Sequence, residues 1–160
     1  MNKLASVMIG LVLWSGFAIA DPVLDEDVVK GISAELSTAI ENADIAPFKK
    51  YLHPTSKIIV DLDPSNSAGE MEISYDDYMG MMEMALPMMQ GSDIQEEILS
   101  ISVDSANNQA TIKEKNIAVM DIMGVKVKDV SISETTYGVI DGQIKVLIAK
   151  DQLISSGPVE

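Results

Sequence analysis

Cysteine and arginine are both missing from this 160-residue chain, and histidine occurs once, at His53. Without cysteine there is no disulfide, no thiolate nucleophile and no thiolate metal ligand. Without arginine there is no bidentate guanidinium clamp for a phosphate or carboxylate. One histidine cannot build a zinc centre of the usual three or four protein ligands. There is no phosphate loop, dinucleotide fingerprint, haem or zinc spacing, or Gly-x-Ser-x-Gly elbow, so no cofactor and no metal are expected. Positive charge is scarce as well: 11 lysines face 25 acids, for a formal net charge of −14. A surface of that sign repels nucleic acid and anionic lipid, and neither is expected as a partner.

What is present begins with a targeting pattern. Lys3 precedes an apolar run from Leu4 to Ala20 that closes on Ala18-Ile19-Ala20, just before Asp21-Pro22. This is the secretory signal pattern, with cleavage expected after Ala20. The run approaches the roughly 20 residues that span a bilayer. Gly10, Ser15, Gly16 and the small-residue ending favour cleavage over a retained anchor. The expected mature protein is periplasmic or secreted and not membrane-embedded. It should form one domain over residues 21–153, with a flexible tail, "SSGPVE", over 154–160.

Apolar residues at helical spacing (Val28, Val29, Ile32, Leu36, Ala39, Ile40, Ala43) predict a first helix from Asp25 to Ala43. Asp44 caps a short second helix through Tyr51, ending at His53-Pro54. Lys57 to Leu62 reads as a strand, "DPSNSAG" as a turn, and Glu70 to Ile73 as a returning strand. Ser74 and Asp77 form a capping box for a third helix, which should end or kink near Pro87. Four strands follow: Ile94–Val103, Gln109–Ile122, Val125–Ile140 and Gln143–Lys150. Asp141-Gly142 is a strong hairpin signal between the last two.

This order of elements resembles the nuclear transport factor 2-like family, the ketosteroid-isomerase-like or SnoaL-like cone. The resemblance is carried by "ENADIAPFKKYLHPTSKIIVDLDP", "ISYDDYMGMMEMA" and "SISETTYGVIDGQIKVLIAKD". It covers about Val28 to Leu153 and implies an α+β fold: three N-terminal helices on a strongly curved antiparallel sheet, enclosing a cone-shaped pocket. It also implies dimerisation through the outer sheet face, where Ile117, Val119, Tyr137, Val139, Leu147 and Ala149 would form an apolar patch. The family contains isomerases, dehydratases, cyclases and non-catalytic binders, so fold alone does not assign chemistry.

Strand parity nominates the cone's lining. Glu114, Ile112, Asn116 and Met120 share one side of their strand, and Glu134 and Ile132 share one side of the next. If Ile122 pairs with Lys126 across a three-residue turn, Glu114 faces Glu134. Two carboxylates in one apolar pocket cannot both ionise cheaply, so this pair is the candidate acid/base or cation site. A register slip of one residue would send one of them to solvent. Glu97, beside Leu99, is placed at the rim. Met81 and Met82 complete the expected lining.

"MGMMEMALPMMQ" holds six of the eleven methionines. Copper(I) would need about three soft donors on one point. The spacing puts Tyr78, Met81, Met82, Ala85 and Leu86 on one face and spreads the others, a layout for packing or pocket lining. Asp61 to Glu72, "DLDPSNSAGEME", echoes a calcium loop but has Asn66 where glycine is needed, and reads as a hairpin loop. His53 reads as a helix-terminal residue interacting with the last carbonyls.

The leading functional expectation is a binding module for a small, largely apolar ligand. The alternatives are a cofactor-free lyase or isomerase using the same carboxylates, or a non-catalytic dimeric interaction protein with a filled cone.

Overall fold

The computed structural model describes residues 21–62, 69–122 and 124–159. The expected signal peptide and the centre of the calcium-like stretch lie outside them. Among the described residues, no helix is long and apolar enough to cross a membrane.

Helix α1 spans Glu26–Glu41 and starts where Asp25 accepts a hydrogen bond from the Val28 amide at 2.8 Å. Its buried stripe is Val29, Ile32 and Ala39. Helix α2, Ala46–Tyr51, has Pro47 in its first turn and the Asp44 carboxylate accepting from the Ala46 amide. Strands β1 (Lys57–Asp61) and β2 (Met71–Ile73) precede α3 (Tyr75–Met89). The Ser74 hydroxyl accepts from the Asp77 amide and donates to the Asp77 carboxylate at 2.6 Å, so this cap forms as the sequence predicts. Pro87 lies inside α3, which ends two residues later. Strands β3 (Asp93–Asp104), β4 (Gln109–Ile122), β5 (Val125–Ile140) and β6 (Gln143–Pro158) complete the chain.

The six strands form one sheet in the order β2-β1-β6-β5-β4-β3. Only the β1–β6 pair is parallel. Asp141 and Gly142 make the β5–β6 turn with φ of 51° and 71°, the two positive values a type I′ hairpin requires. Past the expected strand end, β6 pairs with β5 as far as Pro158, and the Val159 amide donates to the Lys126 carbonyl at 2.8 Å. Residues 154–158 are therefore strand rather than frayed tail.

Along the face turned to the helices, residues stack in layers. Val103, Ala110, Tyr137 and Val146 form the closed end. Ile101, Ile112, Thr135, Ala149 and Ile58 make the next layer. Ala110, Ile112 and Ile58 each retain 1% exposure and pack with Val29, Phe48, Met79 and Leu86 in the main core. Tyr137, placed outward by parity, is 2% exposed on this inner face. Val139 and Ala149 share its side through their pairing with Ile144 and Thr135. The expected outer apolar patch is thereby reduced to Ile117, Val119 and Leu147, and the row Lys113–Glu134–Lys150 separates the first two from Leu147.

Asn108 ties the N-terminal segment down. Its carbonyl oxygen accepts from the Leu24 amide and its amide donates to the Pro22 carbonyl, both at 2.9 Å. Leu24 is thus held in the core at 2% exposure. Asn108 also sits at φ 48°, a left-handed value that asparagine tolerates better than alanine. Asn108→Ala is expected to cost about 2–3 kcal/mol in urea unfolding, through two lost part-buried hydrogen bonds and backbone strain. Asn108→Gly should recover only the strain portion.

Candidate functional site

Above the two apolar layers the inner face turns polar. The next layer runs Ile98–Glu114–Ser133–Asp151–Val60 across β3, β4, β5, β6 and β1. The layer beyond it is Glu96–Asn116–Ser131–Leu153, followed by Ile94–Ala118–Asp129. Neighbouring strands lie about 4.8 Å apart, so Glu114 and Asp151 stand about 10 Å apart with Ser133 between them.

Glu114 lies on the inner face, as parity predicts. Its carboxylate accepts from the Ser33 hydroxyl of α1 at 2.5 Å. Burial pushes its acid above the usual carboxylate range; the Ser33 bond opposes this and the charge of Glu96 adds to it. The carboxylate partner of Glu114 is therefore Glu96, which accepts from Ser37 one turn further along α1. Asn116 is also inward, donating to Ser133 at 3.2 Å.

Asp151 forms the second centre. The residue as a whole is exposed, but the surrounding strands desolvate its carboxyl and raise it, against hydrogen bonds from the Ser131 side chain and the Gln152 backbone. Tyr78 of α3 is pushed up to about 12 by burial and by the nearby Asp151 charge. Tyr137, beneath both centres, is raised by burial, then by the charge of Glu114 and by Tyr51 and Tyr78. Both phenols are therefore protonated donors at neutral pH. On Asp129, Oδ1 is buried without a hydrogen-bond partner.

Several expected lining residues fall elsewhere. Ile122 pairs with Val125 across a two-residue turn, one residue shorter than expected. That slip puts Glu134 opposite Lys113, 4.0 Å from its ammonium on the outer face, and turns Ile132 outward too. On β3, Leu99 is the unpaired residue of a bulge between Ile98 and Ser100. The extra residue reverses the parity before it, so Glu96 enters the cone and Glu97 pairs outward with Lys115. Leu99 itself is 44% exposed. Met82 packs against the core and Ile112 is within it, whereas Met81 is turned away at 38% exposure. Met79, expected off the packing face, is buried there at 6%. Met120 keeps inner-face parity opposite Val127. The His53 ring bonds Thr55 at 2.8 Å rather than helix carbonyls.

Two surface cavities accompany this arrangement. One, of about 430 Å³, lies between α1 and α2 against Glu35, Thr38, Asn42 and Pro47. The other, of about 200 Å³, is lined by Ile59, Lys113, Ile132, Glu134, Lys150 and Asp151.

No protein-family model and no curated protein matches the chain. Solved structures do match it. A hexachlorocyclohexane dehydrochlorinase from Novosphingobium barchaimii superposes with a TM-score of 0.62 at 9% identity, covering 83% of this chain and 88% of that one. A nuclear transport factor 2-like protein from Cytophaga hutchinsonii gives 0.58 at 14% identity, covering 82% and 100%. Another from Pseudomonas putida gives 0.59 at 16%, covering 79% and 84%. The chain has the nuclear transport factor 2-like fold.

Within this cone, sequence reasoning missed Glu96, Asp151, Ser33 and Tyr137. A usable signal existed for Ser33: with Ser37 it makes a pair one helical turn apart beside the apolar stripe of α1, which marks a polar seam. Asp151 had no such signal. A bulge at Leu147, between the pairs Thr136–Ile148 and Tyr137–Val146, resets the parity of β6 before Asp151 is reached.

Proposed function

We propose that the protein is an exported binding module whose cone takes a small molecule with an apolar body and a protonated amine. One observation carries this reading: the sheet sorts its charges. The inner face carries Glu96, Glu114, Asp129 and Asp151, while Lys57, Lys113, Lys115, Lys126, Lys128, Lys145 and Lys150 all have outer-face register. Among the described residues, no strand cation balances the acids inside. A bound ammonium between Glu114 and Asp151 would do so, and would favour the ionised form of both carboxyls, which desolvation disfavours. Serine hydroxyls and Asn116 would orient the head, and Ile98, Ile101 and Met82 would contact the body. Such mixed lining is the usual composition of small-molecule sites. The targeting pattern at residues 1–20 supports the exported setting.

Calorimetric titration with phenethylamine and with its neutral counterpart, 2-phenylethanol, tests the reading. The amine is expected to bind at least tenfold tighter at pH 7, with affinity rising as pH rises from 4 through the raised carboxyl range. Equal binding of both would leave an apolar pocket without charge selection. Binding of neither would remove the reading.

A cofactor-free lyase is the second reading. It is favoured by two carboxyls on one row, both raised by desolvation, and by a fold shared with a dehydrochlorinase. Turnover of a β-substituted substrate, abolished by Glu114→Gln or Asp151→Asn, would establish it.

A further inference from the structure

Helix α3 sorts its methionines into two groups. Met79 is buried in the core at 6% exposure and Met82 packs against it, while Met81, Met84 and Met88 retain 38%, 70% and 72%. At about 100° per residue the outer three occupy a sector of about 60°, turned away from Met79 and Leu86. The core therefore already has its methionines. Large apolar side chains on the solvent side of a helix need another explanation.

What they share is a sulfur that solvent reaches. The chain has no cysteine, so methionine is the sulfur that an oxidant meets first. With hydrogen peroxide, the thioether lone pair attacks one peroxide oxygen. A sulfur–oxygen bond forms, the oxygen–oxygen bond breaks, and the proton on the transferred oxygen passes to the departing hydroxide to give water. A thiol-dependent reductase reverses the change: the oxygen leaves as water, two thiols become a disulfide, and the thioether is restored.

Where the oxygen lands decides its effect. A sulfoxide on Met79 would bury a strong acceptor in an apolar cluster and destabilise the fold. On Met84 and Met88 the new dipole stays in water whether the chain is folded or unfolded, so the helix can carry it. The two are i,i+4 neighbours, and one apolar patch becomes polar when both react. Helix α3 carries Asp76, Asp77 and Glu83 and no lysine, and Lys49, which approaches it, is engaged by Glu83 at 2.8 Å. That field disfavours anionic oxidants and leaves neutral peroxides unhindered. We infer that Met84 and Met88 form a reversible oxidation site. Each takes one oxygen from a neutral peroxide and yields it to a methionine sulfoxide reductase, with Met81 reacting more slowly beside them. The site is separate from the cone and independent of the ligand proposed there.

Limited treatment of the folded protein with hydrogen peroxide, followed by peptide mass mapping, tests this directly. Met84 and Met88 are expected to gain oxygen about tenfold or more faster than Met79 and Met82, with Met81 between. Met71, 56% exposed on β2, is the internal reference for an open methionine and should react as fast as the pair. Protein oxidised at these exposed positions should keep its circular dichroism and its urea midpoint. The two epimer-specific methionine sulfoxide reductases, supplied with dithiothreitol, should then remove the oxygens from Met84 and Met88 without unfolding. The double variant Met84→Leu/Met88→Leu should lose two fast oxygens and leave the rate at Met79 unchanged. Oxidation of Met79 or Met82 as fast as the outer pair would overturn the proposal. So would a urea midpoint that falls with the first oxygens, or sulfoxides that the reductases remove only after urea is added.

Discussion

Glu114→Gln is expected to weaken binding of a cationic ligand by about 10–100-fold, the usual worth of a hydrogen bond to a charged group. The amide still accepts from Ser33, so the α1–β4 contact survives while the charge is lost. The same variant should alter how stability depends on pH. Burial raises the Glu114 carboxyl above its unfolded value, so over that window the folded state holds a proton that the unfolded chain has released. The contribution is fully present below the ordinary glutamate range and is lost as pH rises through the raised value. Glu114→Gln should therefore show a shallower loss of stability than wild type as pH rises above the ordinary glutamate range, read by urea unfolding along that rise. An unchanged slope would mean that Glu114 ionises as in the unfolded chain. Asp151→Asn is expected to act in the same direction, because its carboxyl is raised by burial too.

Deleting Ser102 should cost about 2–4 kcal/mol, well above the effect of deleting Leu99. The bulge adds Leu99 between two consecutive pairs, Ile98–Glu114 and Ser100–Lys113, with Ile94, Glu96 and Ile98 inward on one side and Ile101 and Val103 inward on the other. Removing Leu99 joins Ile98 to Ser100 in a regular ladder and keeps each of these residues on its face. Because Leu99 is 44% exposed, its loss should cost less than about 1 kcal/mol. Ser102 instead lies between Ile101 and Val103 and pairs with Thr111 on the outer face. With Val103 held at the β3–β4 turn, its removal carries Ile101 to the outer face and Ser100 into the apolar layer of Ile112. Similar denaturation midpoints for the two deletions would mean that β3 absorbs the slip without reversing faces.

Secondary structure in this chain is largely a local affair, and that is why it could be read from the residues. The Asp25 and Ser74 caps act within three residues, the α1 stripe repeats every turn, and Asp141-Gly142 carries its turn geometry in two residues. These fix where helices and hairpins lie, and their order was enough to resemble the cone fold. Glu114, Asn116 and Met120 were also placed correctly, since β4 runs without a bulge between Ala110 and Met120 on its β5 side.

The composition of the site was decided elsewhere. A strand's faces alternate with period two, so a single inserted or removed residue exchanges everything beyond it. The two-residue β4–β5 turn moved Glu134 and Ile132 outward and Tyr137 inward. The Leu99 bulge exchanged Glu97 for Glu96, and the Leu147 bulge delivered Asp151. Nothing local to those residues specifies such irregularities: they settle where helices press on the sheet, and their energies depend on contacts many residues apart. The sequence by itself determined the elements, the absent chemistries and the excess of acid. Only the tertiary structure decided which acids face one another across the cone, because register is set by the packing of the whole sheet against α1 and α3.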